Sequence, residues 1–161
     1  MGIKLDAKYY FHKFVSKIMK RINTIFLLVA LFSIFACTKD NPVDEIIPYA
    51  NVNFTINPAS IQYDNLNIVG NFAYVTGGYR GIILYHASLN EYKAFERTSP
   101  YDFPNDFECR VKVDESGLIA VDECSGSKYI LLDGSPFEGP ATLPLKQYNA
   151  VFDGVNLHVF N

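Results

Sequence analysis

The chain has 161 residues, of which 49% are hydrophobic and 19% are charged, and its formal net charge is −3. This length suits one domain with a modest core. A protein that binds nucleic acid through a basic surface is excluded, because no basic stripe runs through the sequence. We therefore expect no nucleic-acid partner.

The N-terminal part of the chain contains one unbroken apolar run, residues 24–36 (TIFLLVALFSIFA), preceded by Lys20 and Arg21. A basic flank, a short apolar core and a small final residue are typical of a secretory signal. The run is shorter than the roughly 20 apolar residues that a spanning helix needs. We predict that residues 1–36 are a signal peptide whose true start is Met19, since that start places the charges directly before the apolar core.

Cys37 follows this run and completes the sequence Ile34-Phe35-Ala36-Cys37, which resembles a bacterial lipobox. The resemblance implies cleavage before Cys37 and attachment of lipid to its thiol. Cys37 would then anchor the protein to a membrane of the bacterial cell envelope, facing the periplasm or the exterior. The alternative is an uncleaved anchor in which the cysteine is incidental.

Residues 37–48 are polar and contain Pro42 and Pro48, so we interpret them as a tether that follows the lipidated cysteine. From Cys37 to the C-terminus, eight Lys and Arg stand against sixteen Asp and Glu, a net charge of −8. Such acidity is common in exported domains and keeps them soluble.

Residues 49–161 predict an all-β domain, because short runs of period two alternate with Gly, Pro and Asp turn signals and no helical period is sustained. Asp114–Gly117 and Asp153-Gly154 are typical hairpin turns. The predicted strands are Val52–Ile56, Leu66–Val69, Phe72–Val75, Gly81–His86, Tyr92–Arg97, Phe107–Val113, Leu118–Val121, Tyr129–Leu132, Leu145–Phe152 and Val155–Phe160.

Four short motifs follow one another in the C-terminal part: Gly126-Ser127, Asp133-Gly134-Ser135, Gly139-Pro140-Ala141 and Pro144-Leu145. Their order and spacing resemble the second half of a Rieske iron–sulfur domain. With weaker agreement upstream, the resemblance covers Asn65–Asn161. It implies a Rieske-like fold of small antiparallel sheets with two loops that meet at a tip.

The residues at the cluster-ligand positions differ from that family. A Rieske cluster needs two thiolates on one iron and two imidazoles on the other. Carried over position by position, Ser99 and Asp122 replace the two cysteines, and Tyr101 and Ser125 replace the two histidines. Oxygen donors of this kind are poor substitutes for thiolate and imidazole, so we expect no cofactor.

Two cysteines remain in the domain, Cys109 and Cys124. A second alignment that uses them as ligands places Val111 and Ser127 where histidines are required, so it fails as well. Some Rieske domains carry a disulfide that joins the two loops, and Cys124 falls at its second position. The resemblance therefore implies a Cys109–Cys124 disulfide, which an oxidising compartment favours. Two buried free thiols are the alternative.

The predicted tip is also acidic, and its carboxylates are oxygen ligands of the kind that bind calcium. A solvated acidic loop without metal is the simpler interpretation. The residues concerned are Asp102, Asp106, Glu108, Asp122 and Glu123.

These observations together predict an exported, lipid-anchored protein whose Rieske-like domain has lost its cluster. We expect a binding or structural role at the envelope, with a protein partner there and without enzymatic activity. The alternative hypothesis is an electron-transfer protein of the Rieske ferredoxin type that holds a two-iron two-sulfur cluster.

Overall fold

The structure is a computed structural model that describes residues 14, 17–19, 42–101, 103–105 and 109–161. The chain divides into two compact units, Met1–Lys39 and Asp40–Asn161. In the first unit residues 14 and 17–19 are helical and exposed. The predicted cleavage site and Cys37 lie outside the described residues. Within the described part, no helix has the length and apolar character needed to span a membrane.

The second unit is built almost entirely from strands. One short helix, α1 (Pro42–Ile46), and one 3-10 helix (Ile61–Asn67) accompany them. The strands are β1 (Asn53–Ile56), β2 (Phe72–Val75), β3 (Ile82–Ser88), β4 (Glu91–Glu96), β5 (Lys112–Val113), β6 (Ile119–Val121), β7 (Lys128–Ile130), β8 (Pro136–Glu138), β9 (Gln147–Phe152) and β10 (Leu157–Phe160).

Six strands form an antiparallel sheet in the order β1-β10-β9-β4-β3-β2. The hairpin between β9 and β10 closes at Asp153-Gly154, as the sequence predicts. The Asp153 carboxylate accepts hydrogen bonds from the backbone N–H groups of Val155 and Asn156, at 2.8 and 2.7 Å. An Asp side chain that bonds the backbone two or three residues later stabilises such a turn.

The remaining four strands form a second antiparallel sheet in the order β5-β6-β7-β8. Its first hairpin closes at the predicted Asp114–Gly117 turn, where the Asp114 carboxylate accepts hydrogen bonds from the N–H and the hydroxyl of Ser116. Both sheets are small, and all strand pairs are antiparallel. The prediction of an all-β domain of small antiparallel sheets is confirmed.

The strands β3 and β4 lie at the centre of the domain, since both of their faces are buried. Ile82 and Leu84 of β3 belong to a core lined by all six strands of the first sheet. Ile83 and Tyr85, on the opposite face, pack with Tyr129 and other residues of the second sheet. Because successive side chains of a strand point to opposite faces, this near-continuous apolar run fills both cores.

The predicted strand Leu66–Val69 is wrong. Leu66 is fully buried at the end of the 3-10 helix, whereas Ile68 and Val69 are 60% and 52% exposed. Local hydrogen bonds form instead of a ladder, from Tyr63 N–H to the Ser60 carbonyl and from Ile68 N–H to the Asn65 carbonyl. A short apolar run becomes a strand only where a neighbouring strand accepts its hydrogen bonds.

The end of the predicted tether is folded. Helix α1 and the residue after it bury Val43 and Ile47 completely. The Asp44 carboxylate lies 3.2 Å from the ammonium group of Lys146, whose side chain is only 6% exposed. Residues 42–47 therefore belong to the packed unit.

Two further differences concern the second sheet. The predicted strand Phe107–Val113 is reduced to Lys112–Val113 among the described residues, although Cys109 and Val111 are buried on one face as expected. Strand β8 is an addition to the predicted strands, and Pro136 stands at its first position. It is an edge strand, where a missing N–H is tolerated.

Candidate functional site

Two loops meet at the tip of the domain, and they contain every predicted ligand position. The first tip loop follows β4 and comprises residues 97–111, of which 97–101, 103–105 and 109–111 are described. The second tip loop is Asp122–Ser127, between β6 and β7.

The second tip loop is closed by its own hydrogen bonds. The Asp122 carboxylate is fully buried, accepts a hydrogen bond from the Cys124 N–H at 3.1 Å, and lies 2.7 Å from the Ser125 hydroxyl. The Ser127 hydroxyl lies 2.8 Å from that of Ser125 and accepts the Ala141 N–H at 3.1 Å. Two of the four predicted ligand positions, Asp122 and Ser125, thus bond to each other.

The first tip loop places its two positions differently. Ser99 is buried, and its hydroxyl lies 3.1 Å from the phenol oxygen of Tyr129, a core residue of the second sheet. Tyr101 is 49% exposed, and its backbone N–H approaches the Ser99 hydroxyl at 3.4 Å. Ser99 therefore connects the loop to the core, while the Tyr101 ring faces solvent.

Cys109 and Cys124 join the two tip loops. They lie at disulfide distance, with Cα atoms 6.2 Å apart, which is within the range that a bridge requires. The Asp122 carboxylate is their neighbour, and one ligand atom from each of the three residues lies within 4.8 Å of the other two. The geometry is that of a bridged tip, and it also provides three potential metal ligands when both cysteines are reduced.

The two histidines of the domain do not lie at the tip. His86 stands opposite Tyr92, whereas the tip end of the same strand pair is Ile82 opposite Glu96. Four residues of strand separate the two ends, about 13 Å at 3.3 Å per residue. The ring of His86 is buried and stacks on Tyr92 with centroids 4.3 Å apart, and His158 lies on β10 with Nε2 2.9 Å from the Asn53 side chain.

The predicted acidic rim is only partly described, because Asp102, Asp106 and Glu108 lie outside the described residues. Asp122 is occupied by the hydrogen bonds of its own loop. Glu123 forms an ion pair with Lys112 at the surface. The two described acids therefore have partners within the protein.

One buried carboxylate at the base of the tip was not predicted. Glu96 is fully buried at the end of β4, and one oxygen accepts hydrogen bonds from the Tyr79 N–H and the Tyr148 hydroxyl, both at 2.7 Å. The other oxygen accepts bonds from the Arg80 N–H and from the N–H and hydroxyl of Thr98. Burial first, and then Glu96, raise the pKa of Tyr148 above its ordinary value.

Glu96 connects three segments: the loop between β2 and β3, strand β9, and the start of the first tip loop. Its sequence signal is weak, because the YKAFER run alternates as any half-buried strand does. An acid that shares a face with Tyr92 and Ala94 is the one indication that the carboxylate lies inside.

The donor set at the tip does not fit a Rieske cluster. Such a cluster needs two thiolates and two imidazoles. The four positions carry two Ser, one Asp and one Tyr, three of which are engaged in hydrogen bonds of their side chains. The only described thiols lie at disulfide distance, and both described histidines are on strands away from the tip.

No protein-family model matches the chain, and no curated protein matches it. Solved structures similar to it include the ferredoxin of carbazole 1,9a-dioxygenase from Nocardioides aromaticivorans IC177. That match has 12% identity and a TM-score of 0.45, and covers 70% of this chain and 98% of that chain. Another is a complex of reduced oxygenase and oxidized ferredoxin in carbazole 1,9a-dioxygenase. It has 18% identity and a TM-score of 0.42, and covers 57% of this chain and 82% of that chain.

Proposed function

We propose that the protein is an exported, lipid-anchored component of the bacterial cell envelope whose Rieske-like domain holds no cluster and has a binding or structural role. The observation that carries this proposal is the hydrogen bond between Asp122 and Ser125, at 2.7 Å. These two residues stand at the ligand positions of the second loop. Their polar atoms stabilise the loop itself, so the loop is closed without a metal.

The cysteine pair supports the same proposal. A disulfide between Cys109 and Cys124 would join the two tip loops covalently. A cluster with ligands from both loops would cross-link them in the same way. Export supports the bond, since disulfides persist in oxidising compartments. The tip would then be a rigid surface feature, available to a protein partner in the envelope.

One specific observation favours the alternative function, an electron-transfer protein with a two-iron two-sulfur cluster. The reduced thiols of Cys109 and Cys124 and the Asp122 carboxylate would offer three ligands within 4.8 Å. Thiolates are the ligands that iron–sulfur clusters prefer. We rank this alternative second, because neither His86 nor His158 lies near these three residues.

Iron analysis decides between the two functions. The protein is purified anaerobically, incubated with iron and sulfide under reducing conditions, and measured for visible absorbance and for iron per chain. Our proposal expects a colourless protein without stoichiometric iron. A brown protein with about two irons per chain, whose colour is lost in Cys109→Ser, would establish the alternative.

The membrane anchor is tested separately by labelling cells with radioactive palmitate. We expect label on the wild-type chain and none on Cys37→Ala. The matched control is Cys124→Ser, which removes a different cysteine and should keep the label. Equal label on wild type and Cys37→Ala would contradict lipid attachment at Cys37.

A further inference from the structure

The three arginines of the folded unit line a single cleft. Arg80, Arg97 and Arg110 are the only arginines between Asp40 and Asn161. They border a cleft of about 400 Å³ together with Tyr74 and the glycine-rich loop that joins β2 to β3. A volume in this range is ordinary for a small-ligand site. The cleft therefore collects all three arginines of a segment, Cys37–Asn161, whose net charge is −8.

The arginines differ from the lysines in their partners. Each lysine of the folded unit forms an ion pair within the described residues: Lys93 with Glu91, Lys112 with Glu123, Lys128 with Glu138, and Lys146 with Asp44. None of the three arginines forms an ion pair with a carboxylate in this part of the chain. The nearby negative charge is the buried carboxylate of Glu96, which acts on Arg97 but forms no ion pair with any of the three guanidinium groups. Its oxygens are taken up by backbone N–H groups and hydroxyls, so the guanidinium groups keep donors for a ligand.

The guanidinium group of Arg97 is held in place, and its two terminal nitrogens donate no hydrogen bond to another described residue. Its Nε donates a hydrogen bond to the Val111 carbonyl at 3.0 Å, and its guanidinium lies over the Tyr74 ring, 4.0 Å from the ring centroid. Burial is the largest cause of the lowered pKa of Arg97, and the positive charge of Arg110 lowers it further, while Tyr74 and Glu96 act in the opposite direction. A fixed, partly desolvated guanidinium beside a second positive charge is arranged to receive an anion.

The guanidinium group of Arg80 is anchored to the first tip loop. Its Nη1 donates a hydrogen bond to the Cys109 carbonyl at 2.8 Å, while its buried Nη2 has no hydrogen-bond partner among the described residues. A smaller cleft of about 310 Å³ is also bordered by Arg97 and Arg110 and extends to Lys112 and the Cys109–Cys124 pair. Glu123 also lines this smaller cleft and forms an ion pair with Lys112, so the unpaired positive charge near the tip is that of Arg97 and Arg110.

We propose that the cleft lined by Arg80, Arg97 and Arg110 binds an oxyanion, a phosphate or carboxylate group of a small ligand. Guanidinium groups bind both of these groups through paired charge-assisted hydrogen bonds. Arg97 and Arg110 supply the charge that faces the ligand, and Arg80 joins the cleft to the first tip loop. The inference extends the proposed binding role, but it uses no residue at the cluster-ligand positions.

The test is a titration of the full chain in non-ionic detergent micelles, labelled with ¹⁵N at arginine. The chain is made by cell-free synthesis in the detergent, which leaves residues 1–36 attached, so Arg21, the one arginine outside the folded unit, provides an internal reference. Inorganic phosphate and citrate are added separately at constant ionic strength, with sodium chloride as the blank. We expect saturable shifts of the Arg97 and Arg110 Nε–H signals with phosphate, with citrate or with both, while the Arg21 signal stays in place.

The diagnostic variant is Arg110→Gln, because Arg110 is exposed and holds no hydrogen bond among the described residues, so its loss should leave the fold intact. We expect the apparent Kd to rise about tenfold, as for the loss of one charge-assisted contact. The matched control is Lys128→Gln, which removes one positive charge outside the cleft and should leave the Kd unchanged.

Three results would overturn the proposal. The first is the absence of saturable shifts with either anion. The second is equal shifts of all four arginine signals, which would indicate screening only. The third is an apparent Kd that is unchanged in Arg110→Gln, or that rises equally in Lys128→Gln. Iron analysis is independent of all three, so failure here is distinguishable from failure of the proposed function.

Discussion

The hydrogen-bond centre at Glu96 leads to a quantitative prediction for Glu96→Gln. The carboxylate accepts five hydrogen bonds and is fully buried. In the variant an amide nitrogen replaces one oxygen. If the amide nitrogen of Gln takes the position of the oxygen that faces Tyr79, it meets the Tyr79 N–H, and the hydrogen bond from that N–H is lost. The Tyr148 hydroxyl can rotate and accept a hydrogen bond from the amide nitrogen. The three hydrogen bonds to the other oxygen remain, but their acceptor is no longer charged.

A hydrogen bond to a charged group contributes about 1.5–3 kcal/mol, and a buried donor left unpaired costs a similar amount. We therefore expect Glu96→Gln to lower the free energy of unfolding by about 3 kcal/mol. Tyr148→Phe removes one of the five bonds and should cost about 1.5 kcal/mol. The measurement is urea unfolding followed by circular dichroism, in which a stability change shifts the midpoint without changing the slope.

The matched control is Glu138→Gln, which removes the acid of an exposed ion pair with Lys128. Such pairs contribute about 0–1 kcal/mol. If Glu96→Gln costs no more than Glu138→Gln, the reasoning is refuted, because Glu96 would then not hold the three segments together. A preserved slope with a lowered midpoint for Glu96→Gln alone would support it.

Three further predictions concern the tip, the pH dependence and one turn. The Cys109–Cys124 disulfide closes a loop of 15 residues, so its reduction should lower the free energy of unfolding by about 3 kcal/mol. Mass spectrometry of non-reduced digests should find the two cysteine peptides joined. Alkylation of both thiols in the native protein would contradict the bond. Folding raises the pKa of Tyr148, so the contribution of its phenol to the free energy of unfolding is complete below about pH 10 and is lost above it, by about 1.4 kcal/mol per pH unit. Tyr148→Phe should therefore make the alkaline decline in stability shallower. A pH profile that is unchanged in the variant would contradict this role of Tyr148. Gly139→Ala should lower the free energy of unfolding far more than Gly154→Ala in the same urea experiment. Both glycines have positive φ, but a Cβ at Gly139 would meet the backbone of the second tip loop at 2.6 Å, whereas a Cβ at Gly154 would meet open space. Equal costs would show that the close approach at Gly139 is unimportant.

Much of the secondary structure could be predicted, because it depends on local chemistry. The Asp153-Gly154 and Asp114–Gly117 turns form as expected, since an Asp side chain can bond its own backbone and glycine accepts positive φ. Of the predicted run Val52–Ile56, Asn53–Ile56 forms an edge strand of the first sheet, since alternation places Phe54 and Ile56 on the face that packs against the core. The strand Leu66–Val69 failed because no neighbouring strand receives it, which local pattern does not reveal.

The sequence by itself determined the class of the domain, the chemical character of its tip and the identity of the residues at each loop position. Only the tertiary structure decided which side chains meet. It directs Ser99 to Tyr129 and Asp122 to Ser125, buries Glu96 under the loop that carries Tyr79 and Arg80, and collects the arginines in one cleft. The reason is that Arg80, Arg97 and Arg110 are far apart in the chain and approach only when the sheet order places β3 beside β4 and the first tip loop returns to pack against them.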